Sequence, residues 1–149
     1  MSKDCSIWQG MLALVARCFI ALIFIVAGLQ KIIQYDLMHH TVSGISDTHA
    51  TWLLITGILF ELIGGILMVI GWLTRWGAAL LFVFVVLTIF LFHPFWAFEG
   101  DAMVMQVQHF LKNIAILGGL LYVIAFGPGC LSIDGYRKRC NHKNCRIGE

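Results

Sequence analysis

Charged residues are scarce in this chain, and their scarcity excludes most classes of soluble protein. Only 12% of the 149 residues are Asp, Glu, Lys or Arg, whereas 60% are hydrophobic, and the mean hydropathy is +0.88. Soluble domains contain roughly a quarter charged residues and about half apolar ones. The composition therefore indicates a membrane protein. The length predicts one compact domain, residues 1–149, with no room for a separate soluble catalytic domain.

Motifs that would hold a metal or a redox cofactor are also missing. The cysteines include no C-x-x-C pair, and there is no flavin fingerprint or familiar spacing of haem ligands. His39, His40 and His49 cluster in one polar segment without a recognised ligand spacing, and Cys140 and Cys145 flank a poor zinc motif. We therefore predict no metal site, while metal binding by the two tail cysteines stays open.

What the sequence does contain is long apolar runs, each near the ~20 residues that a helix needs to cross a bilayer. These runs are continuous, without the alternation of barrel strands, and His93-Pro94 ends one of them. We expect an all-α membrane protein, a bundle of four transmembrane helices followed by a basic tail at 128–149. The predicted helices lie at about 8–33, 52–73, 76–92 and 110–127.

The distribution of basic residues predicts the orientation of the bundle. No Lys or Arg lies between Lys31 and Arg75 or between Arg75 and Lys112, whereas basic residues crowd the tail. Because Lys and Arg are enriched in cytoplasmic loops, both termini should be cytoplasmic and the loops at 34–51 and 93–109 should face outward. A cytoplasmic compartment would also keep reduced the four thiols expected on that side, which are Cys5, Cys130, Cys140 and Cys145.

Charged side chains inside the predicted helices are candidates for function. Each costs about 2.5–3.5 kcal/mol near the bilayer centre, so such residues usually face the bundle interior and have partners. Glu61 lies near the middle of its helix, and Arg17 falls roughly 5 Å from the middle of the preceding one. The sequence therefore predicts a buried Arg17–Glu61 pair. For Lys31 and Lys112, the simplest expectation is that their flexible side chains extend to the headgroups.

Two further contacts are expected. Gly57, Gly64 and Gly65 share a helical face with Glu61, and small residues let membrane helices approach closely, so this face should contact helices rather than lipid. Arg75 and Asp134 flank helix ends on the same side. We expect them to form an exposed ion pair, contributing about 0–1 kcal/mol, that ties the second turn to the tail.

Several segments, in order, resemble the DoxX family: RCFIALIFIVAGLQK at 17–31, ELIGGILMVIGWLTR at 61–75, His93, LKNIAILGGLL at 111–121 and GPGCLSID at 127–134. The resemblance implies a four-helix bacterial inner-membrane protein. Family members are described as oxidoreductases or as membrane subunits of them, with links to quinone reduction. By motif position, the polar residues carried over are Arg17, Lys31, Glu61, Arg75, His93, Asn113 and Asp134.

Three functions remain open. The favoured one is the membrane subunit of, or a protein associated with, a redox complex that binds a quinone or quinone-like lipid, its cofactor supplied by a partner redox protein. The alternatives are a small transporter or lipid-binding protein, and a structural scaffold. The expected partner is the lipid bilayer. A homo-oligomer stays open, and we expect no nucleic-acid partner. No residue is assigned as catalytic; the candidate ligand-binding residues are Arg17, Lys31, Glu61, His93, Lys112 and Asn113.

Reporter fusions after Glu149 test the predicted orientation. Because the basic residues favour a cytoplasmic tail, a reporter that is active only in the cytoplasm should be active there. A reporter that is active only in the periplasm should be silent at the same position. A periplasmic signal would reverse the orientation of the whole bundle.

Overall fold

The chain is helical throughout most of the residues that the computed structural model describes, which are 7–42, 47–92 and 99–145. Four of the helices, α1, α3, α4 and α5, are long and apolar enough to cross a membrane. The predicted all-α architecture with four membrane spans is therefore confirmed, and the orientation of the termini stays a prediction. The helices are α1 Ile7–Ile33, α2 Tyr35–Val42, α3 Asp47–Ile70, α4 Thr74–Phe92, α5 Gly100–Phe126 and α6 Ile133–Cys145.

The structure differs from the sequence prediction chiefly in its polar helical segments. The short helix α2 lies where we expected a loop, α6 lies in the expected tail, and α5 begins at Gly100 rather than near residue 110. Each of these segments is too polar or too short to give a long apolar run, and hydropathy detects only such runs. Hydropathy therefore predicts the bilayer-crossing segments but not the helical turns beyond them.

The four long helices pack mainly against their neighbours in the chain. α1 packs on α3, α3 on α4 and α4 on α5, while α1 and α5 touch far less extensively. The core consists of apolar side chains from all four helices, including Phe24, Met68, Leu81 and Leu120. We call the end of the bundle that carries the connection between α3 and α4 the turn end, and the opposite end the α2 end.

The glycine face of α3 is buried against other helices, as predicted. A methyl group on Gly64 would lie 2.5 Å from the side chain of Leu81 in α4, and one on Gly65 would lie 2.8 Å from Ile25 in α1. No carbon atom fits at such distances, so α3 needs these glycines to approach both neighbours. Glu61 shares this buried face.

Asp134 organises the connection between α3 and α4. Its Oδ1 accepts a hydrogen bond from the Leu73 amide at 3.1 Å, and its Oδ2 accepts bonds from the Thr74 amide and hydroxyl at 2.9 and 3.0 Å. The φ angle of Leu73 is +47°, a left-handed conformation that is strained for a residue with a side chain. The carboxylate therefore stabilises a strained turn and satisfies amides at the start of α4.

The predicted pair between Arg75 and Asp134 is wrong. Among the residues that the structure describes, the ion pair is Lys31–Glu61. Arg75 instead donates from Nη2 to the carbonyl oxygen of Ala125, at 3.2 Å. The amides that begin α4 attract the carboxylate, and the carbonyls that end α5 attract the guanidinium, because both are helix termini without internal partners. The turn is still tied to the chain beyond α5, but through separate hydrogen bonds.

Asp134→Ala should lower the free energy of unfolding near neutral pH. It should also weaken the loss of stability that the parent protein shows in acid. Partial burial raises the pKa of Asp134, but hydrogen bonds from Thr74 and Leu73 and the charge of Arg137 lower that pKa more, leaving it below its ordinary value. The contribution to stability is therefore complete above the unfolded pKa of about 3.9 and is lost as the pH falls through the folded pKa. We expect a loss of about 0.5–2 kcal/mol near neutral pH.

Thermal unfolding in detergent across an acid pH series measures this effect. Arg75→Met is the matched control, because it removes one exposed hydrogen bond at the same end but no carboxylate that titrates in acid. The control should keep the pH dependence of the parent protein. Identical pH profiles for the parent protein and Asp134→Ala would contradict the capping role.

Candidate functional site

A cavity of about 430 Å³ lies between α1, α3, α4 and α5 in the half of the bundle nearer the α2 end. Its wall is mostly aliphatic and aromatic. An apolar cavity with a small number of polar groups is the usual form of a small-molecule site. The polar and charged side chains that line it are Lys31, Thr56, Glu61, Thr88, Lys112 and Asn113.

Helix contacts place three of these side chains at nearly the same depth. A methyl group on Gly28 would lie 3.5 Å from the Cβ of Glu61, and one on Gly119 would lie 3.0 Å from Ile20. From the Ile20–Gly119 contact, Gly28 is about 12 Å along α1 and Lys112 is about 10 Å along α5. Glu61, Lys112 and the adjacent Asn113 therefore surround one layer of the bundle.

That layer lies near the middle of the membrane-crossing region. Glu61 precedes Gly71, at the turn end, by about 15 Å of helix, which is half of the ~30 Å hydrocarbon thickness of a bilayer. A carboxylate at this depth requires a partner if it is charged.

Lys31 is that partner. Its Nζ lies 2.6 Å from Oε1 and 2.7 Å from Oε2 of Glu61, so the ammonium group contacts both carboxylate oxygens. The side chain of Glu61 is 5% exposed and that of Lys31 is 26% exposed. Lys31 does not extend to the headgroups, which corrects the expectation from its sequence position.

The direction of helical side chains explains this pairing. Side chains lean toward the N-terminus of their own helix. α1 begins at the turn end and α3 begins at the α2 end, so Lys31 and Glu61 lean toward each other. Gly28, one turn before Lys31, brings the two backbones close enough for the contact, since a methyl group there would lie 2.9 Å from Leu62.

The predicted Arg17–Glu61 pair is therefore wrong. Arg17 lies about 16 Å along α1 from the level of Glu61 and leans away from it, toward the turn end. Its Nη2 donates to the Leu131 carbonyl at 2.6 Å, and its Nη1 lies 3.5 Å from the Met68 carbonyl. Although Arg17 is almost completely buried, its Nε has no hydrogen-bond partner. Arg17 therefore connects α1, α3 and the segment after α5 at the turn end. It is not among the residues that line the cavity.

The remaining polar side chains of the cavity differ in how many of their donors and acceptors already form hydrogen bonds. The hydroxyl of Thr56 donates to the Trp52 carbonyl at 2.7 Å, and that of Thr88 donates to the Val85 carbonyl at 2.8 Å. These are local bonds within one helix. Lys112 Nζ lies 3.4 Å from Nδ1 of His109, a long contact for a hydrogen bond. Within the described ranges, the side-chain amide of Asn113 makes no hydrogen bond.

The structure thus brings together four of the six candidate ligand-binding residues, Lys31, Glu61, Lys112 and Asn113. Arg17 lies at the opposite end, and His93 lies outside the described residues. Sequence reasoning missed the two threonines and the edge-to-face pair Phe60–Phe84, whose ring centroids are 6.3 Å apart. Their signal was weak, since one hydroxyl or one aromatic ring in an apolar helix is common in membrane bundles.

No histidine or cysteine is among the described residues that line the cavity. His39 Nε2 lies 2.9 Å from the hydroxyl of Thr51, and no group of three His, Cys, Asp or Glu among the side chains described is placed to hold a metal ion. Cys130 is disulfide-bonded, so the expectation that its thiol stays reduced is wrong. Cys18 and Cys140 are free thiols.

Fold and cavity together define a small polytopic membrane protein with a charged pair enclosed near mid-bilayer. Residues 12–94, more than half of the chain, match the DoxX family model. The chain is 33% identical to the inner membrane protein YphA of Escherichia coli K12 over 127 residues, which cover 85% of this chain and 90% of YphA. It is 38% identical to the inner membrane protein YqjF of the same organism over 121 residues, covering 81% and 88%.

The chain therefore belongs to the DoxX family, which confirms the resemblance seen in the sequence, and it is an integral inner-membrane protein. No solved structure matches it significantly.

A double-mutant cycle tests the ion pair. Lys31→Met should cost about 3–5 kcal/mol, because it leaves the buried Glu61 carboxylate without a partner. Glu61→Met should cost less, since the partly exposed Lys31 can then extend toward the headgroups. The double substitution should recover much of the loss, because no unpaired charge remains.

Unfolding in detergent measures the four free energies. The matched cycle pairs Glu61→Met with Arg17→Met, whose effects should add because the two side chains do not touch. Additive losses for Lys31 and Glu61 would show that the two charges do not interact.

Proposed function

We propose that the cavity binds the headgroup of a quinone or quinone-like lipid, and that the protein is the membrane subunit of, or is associated with, a redox complex. The observation that carries the proposal is a charged pair, Lys31–Glu61, placed in an apolar cavity near mid-bilayer. A quinone has a flat apolar ring with carbonyl oxygens at its edge, and it is dissolved in the same bilayer. It therefore suits a wall that is apolar except at a few donors.

The donors fit carbonyl acceptors. An ammonium group has three N–H bonds, and Lys31 directs its contacts with Glu61 to the two carboxylate oxygens, leaving one N–H for a ligand. Asn113 offers an amide that is not engaged by the described residues. Phe60 and Phe84, one edge-on to the other, provide flat apolar surface for the ring. The ligand tail would follow the apolar lining out toward the lipid.

The pair also supplies proton chemistry. Reduction of a quinone to its quinol takes up two electrons and two protons, one proton at each ring oxygen. The electrons would come from the cofactor of a partner redox protein. Glu61 can hold a proton or release it, and Lys31 stabilises its anionic form, so the pair can act as the general acid or base beside one ring oxygen. His93, outside the described residues, remains a predicted member of this site.

Ligand identification tests the proposal. Protein purified in a mild detergent should retain quinone, detected by mass spectrometry of an organic extract. The folded double variant Lys31→Met/Glu61→Met should retain much less and should bind a short-chain quinone at least about tenfold more weakly, since it loses charge-assisted hydrogen bonding. Arg75→Met, at the turn end, is the control that should bind as the parent protein does.

Each alternative function has its own outcome in the same experiment. Phospholipid in place of quinone, lost in the double variant, would support a lipid-binding protein or transporter. An extract without any specific ligand, together with full complementation of a deletion strain by the double variant, would support a scaffold. Either result would overturn the quinone proposal.

A further inference from the structure

We infer that the cavity selects an anionic ligand: an amphipathic molecule whose ring or headgroup carries a deprotonated acidic oxygen, held by Lys112 beside the Lys31–Glu61 pair. The inference rests on the proposed function only in that the cavity must bind a ligand. It goes beyond that function because it specifies the charge of the ligand and the residue that recognises this charge.

The charges of the lining residues do not balance. Lys31 and Lys112 each bring a positive charge, and Glu61 is the sole carboxylate among the described residues that line the cavity. Both oxygens of Glu61 are already engaged by Lys31. The positive charge of Lys112 is therefore left without a counter-charge in the cavity wall.

Acidic groups elsewhere on α5 are too distant to balance Lys112. Asp101 lies in the first turn of that helix, about 16 Å along the axis from Lys112, and Glu99 lies farther still. The nearest described partner of Lys112 is His109, whose Nδ1 is 3.4 Å from Nζ. A histidine ring carries no negative charge, so this contact does not neutralise the ammonium group.

The hydrogen-bonding groups of the cavity wall that remain unused are mostly donors, which also favours an anionic ligand. Lys112 and Lys31 can both still donate, and neither can accept. The amide of Asn113 can donate and accept. A ligand that completes this wall must therefore offer mainly acceptor atoms, and a negative charge on one of them makes the bond to Lys112 shorter and stronger than a neutral bond. A cationic ligand would meet repulsion from the unbalanced charge of Lys112.

The position of Lys112 suits the recognition of an entering headgroup. Its side chain is exposed although it lies at the depth of Glu61, and the adjacent Asn113 is half-buried. Lys112 thus stands at the mouth of the cavity and the ion pair stands inside. An acidic oxygen would contact Lys112 at the mouth, while the rest of the headgroup meets Lys31 and Asn113.

A matched pair of ligands tests this inference. One is an alkyl hydroxynaphthoquinone, whose ring hydroxyl is ionised at neutral pH, and the other is its methyl ether, which has the same ring and alkyl chain but no charge. The full-length protein in detergent should bind the hydroxy compound at least about tenfold more tightly than the ether, as expected for one additional charge-assisted hydrogen bond. Lys112→Met should remove this preference, because it should weaken binding of the hydroxy compound far more than binding of the ether.

The control is Lys138→Met, which removes an exposed cation from α6 at the turn end and should preserve the preference. Equal or tighter binding of the ether by the parent protein would overturn the inference while leaving the proposed function standing. A preference that survives in Lys112→Met would also overturn it. Failure of both compounds to bind would overturn the proposed function as well.

Discussion

The Lys31–Glu61 ion pair is the constraint on which the rest of the α2 half of the bundle depends. A carboxylate at mid-bilayer is tolerated as a charge only with a cation in contact, and here that cation comes from the neighbouring helix at 2.6 Å. The contact requires α1 and α3 to lie close together, which Gly28 and Gly65 permit. It also requires the antiparallel arrangement that makes the two side chains lean toward each other.

Sequence reasoning could reach much of this structure because the bilayer restricts what each residue can do. Apolar length predicts the four spans, and the glycine spacing predicts the buried face of α3. Glu61 was correctly placed inside, facing α1. The prediction of its partner is wrong, because it assumes that the midpoints of the two predicted helices lie at the same depth. The real helices are offset from that alignment by about 11 Å, or two helical turns, and this offset brings Lys31 rather than Arg17 within reach of the carboxylate.

The errors at the turn end have a different physical origin. Arg17, Arg75 and Asp134 were expected to find opposite charges, yet each binds main-chain groups at a helix end or in the segment after α5. Such termini carry partial charges and unsatisfied hydrogen-bonding groups. A sequence does not show where these groups will meet a side chain, because every residue carries the same amide and carbonyl. Pairing charged residues by sequence alone therefore overestimates the number of ion pairs.

The contrast between the two ends of the bundle supports the proposed position of the ligand site. At the turn end, Arg17, Arg75 and Asp134 are engaged with the backbone, and they connect α1, the turn between α3 and α4, and the segment after α5 into one unit. Around the cavity, Asn113 and the ammonium groups of Lys31 and Lys112 keep hydrogen-bonding capacity that the described residues do not use. Unused donors facing an apolar space are costly unless a ligand or water meets them. The turn end can therefore serve as a fixed frame for the proposed ligand site, and substitutions in the two regions should separate stability from binding.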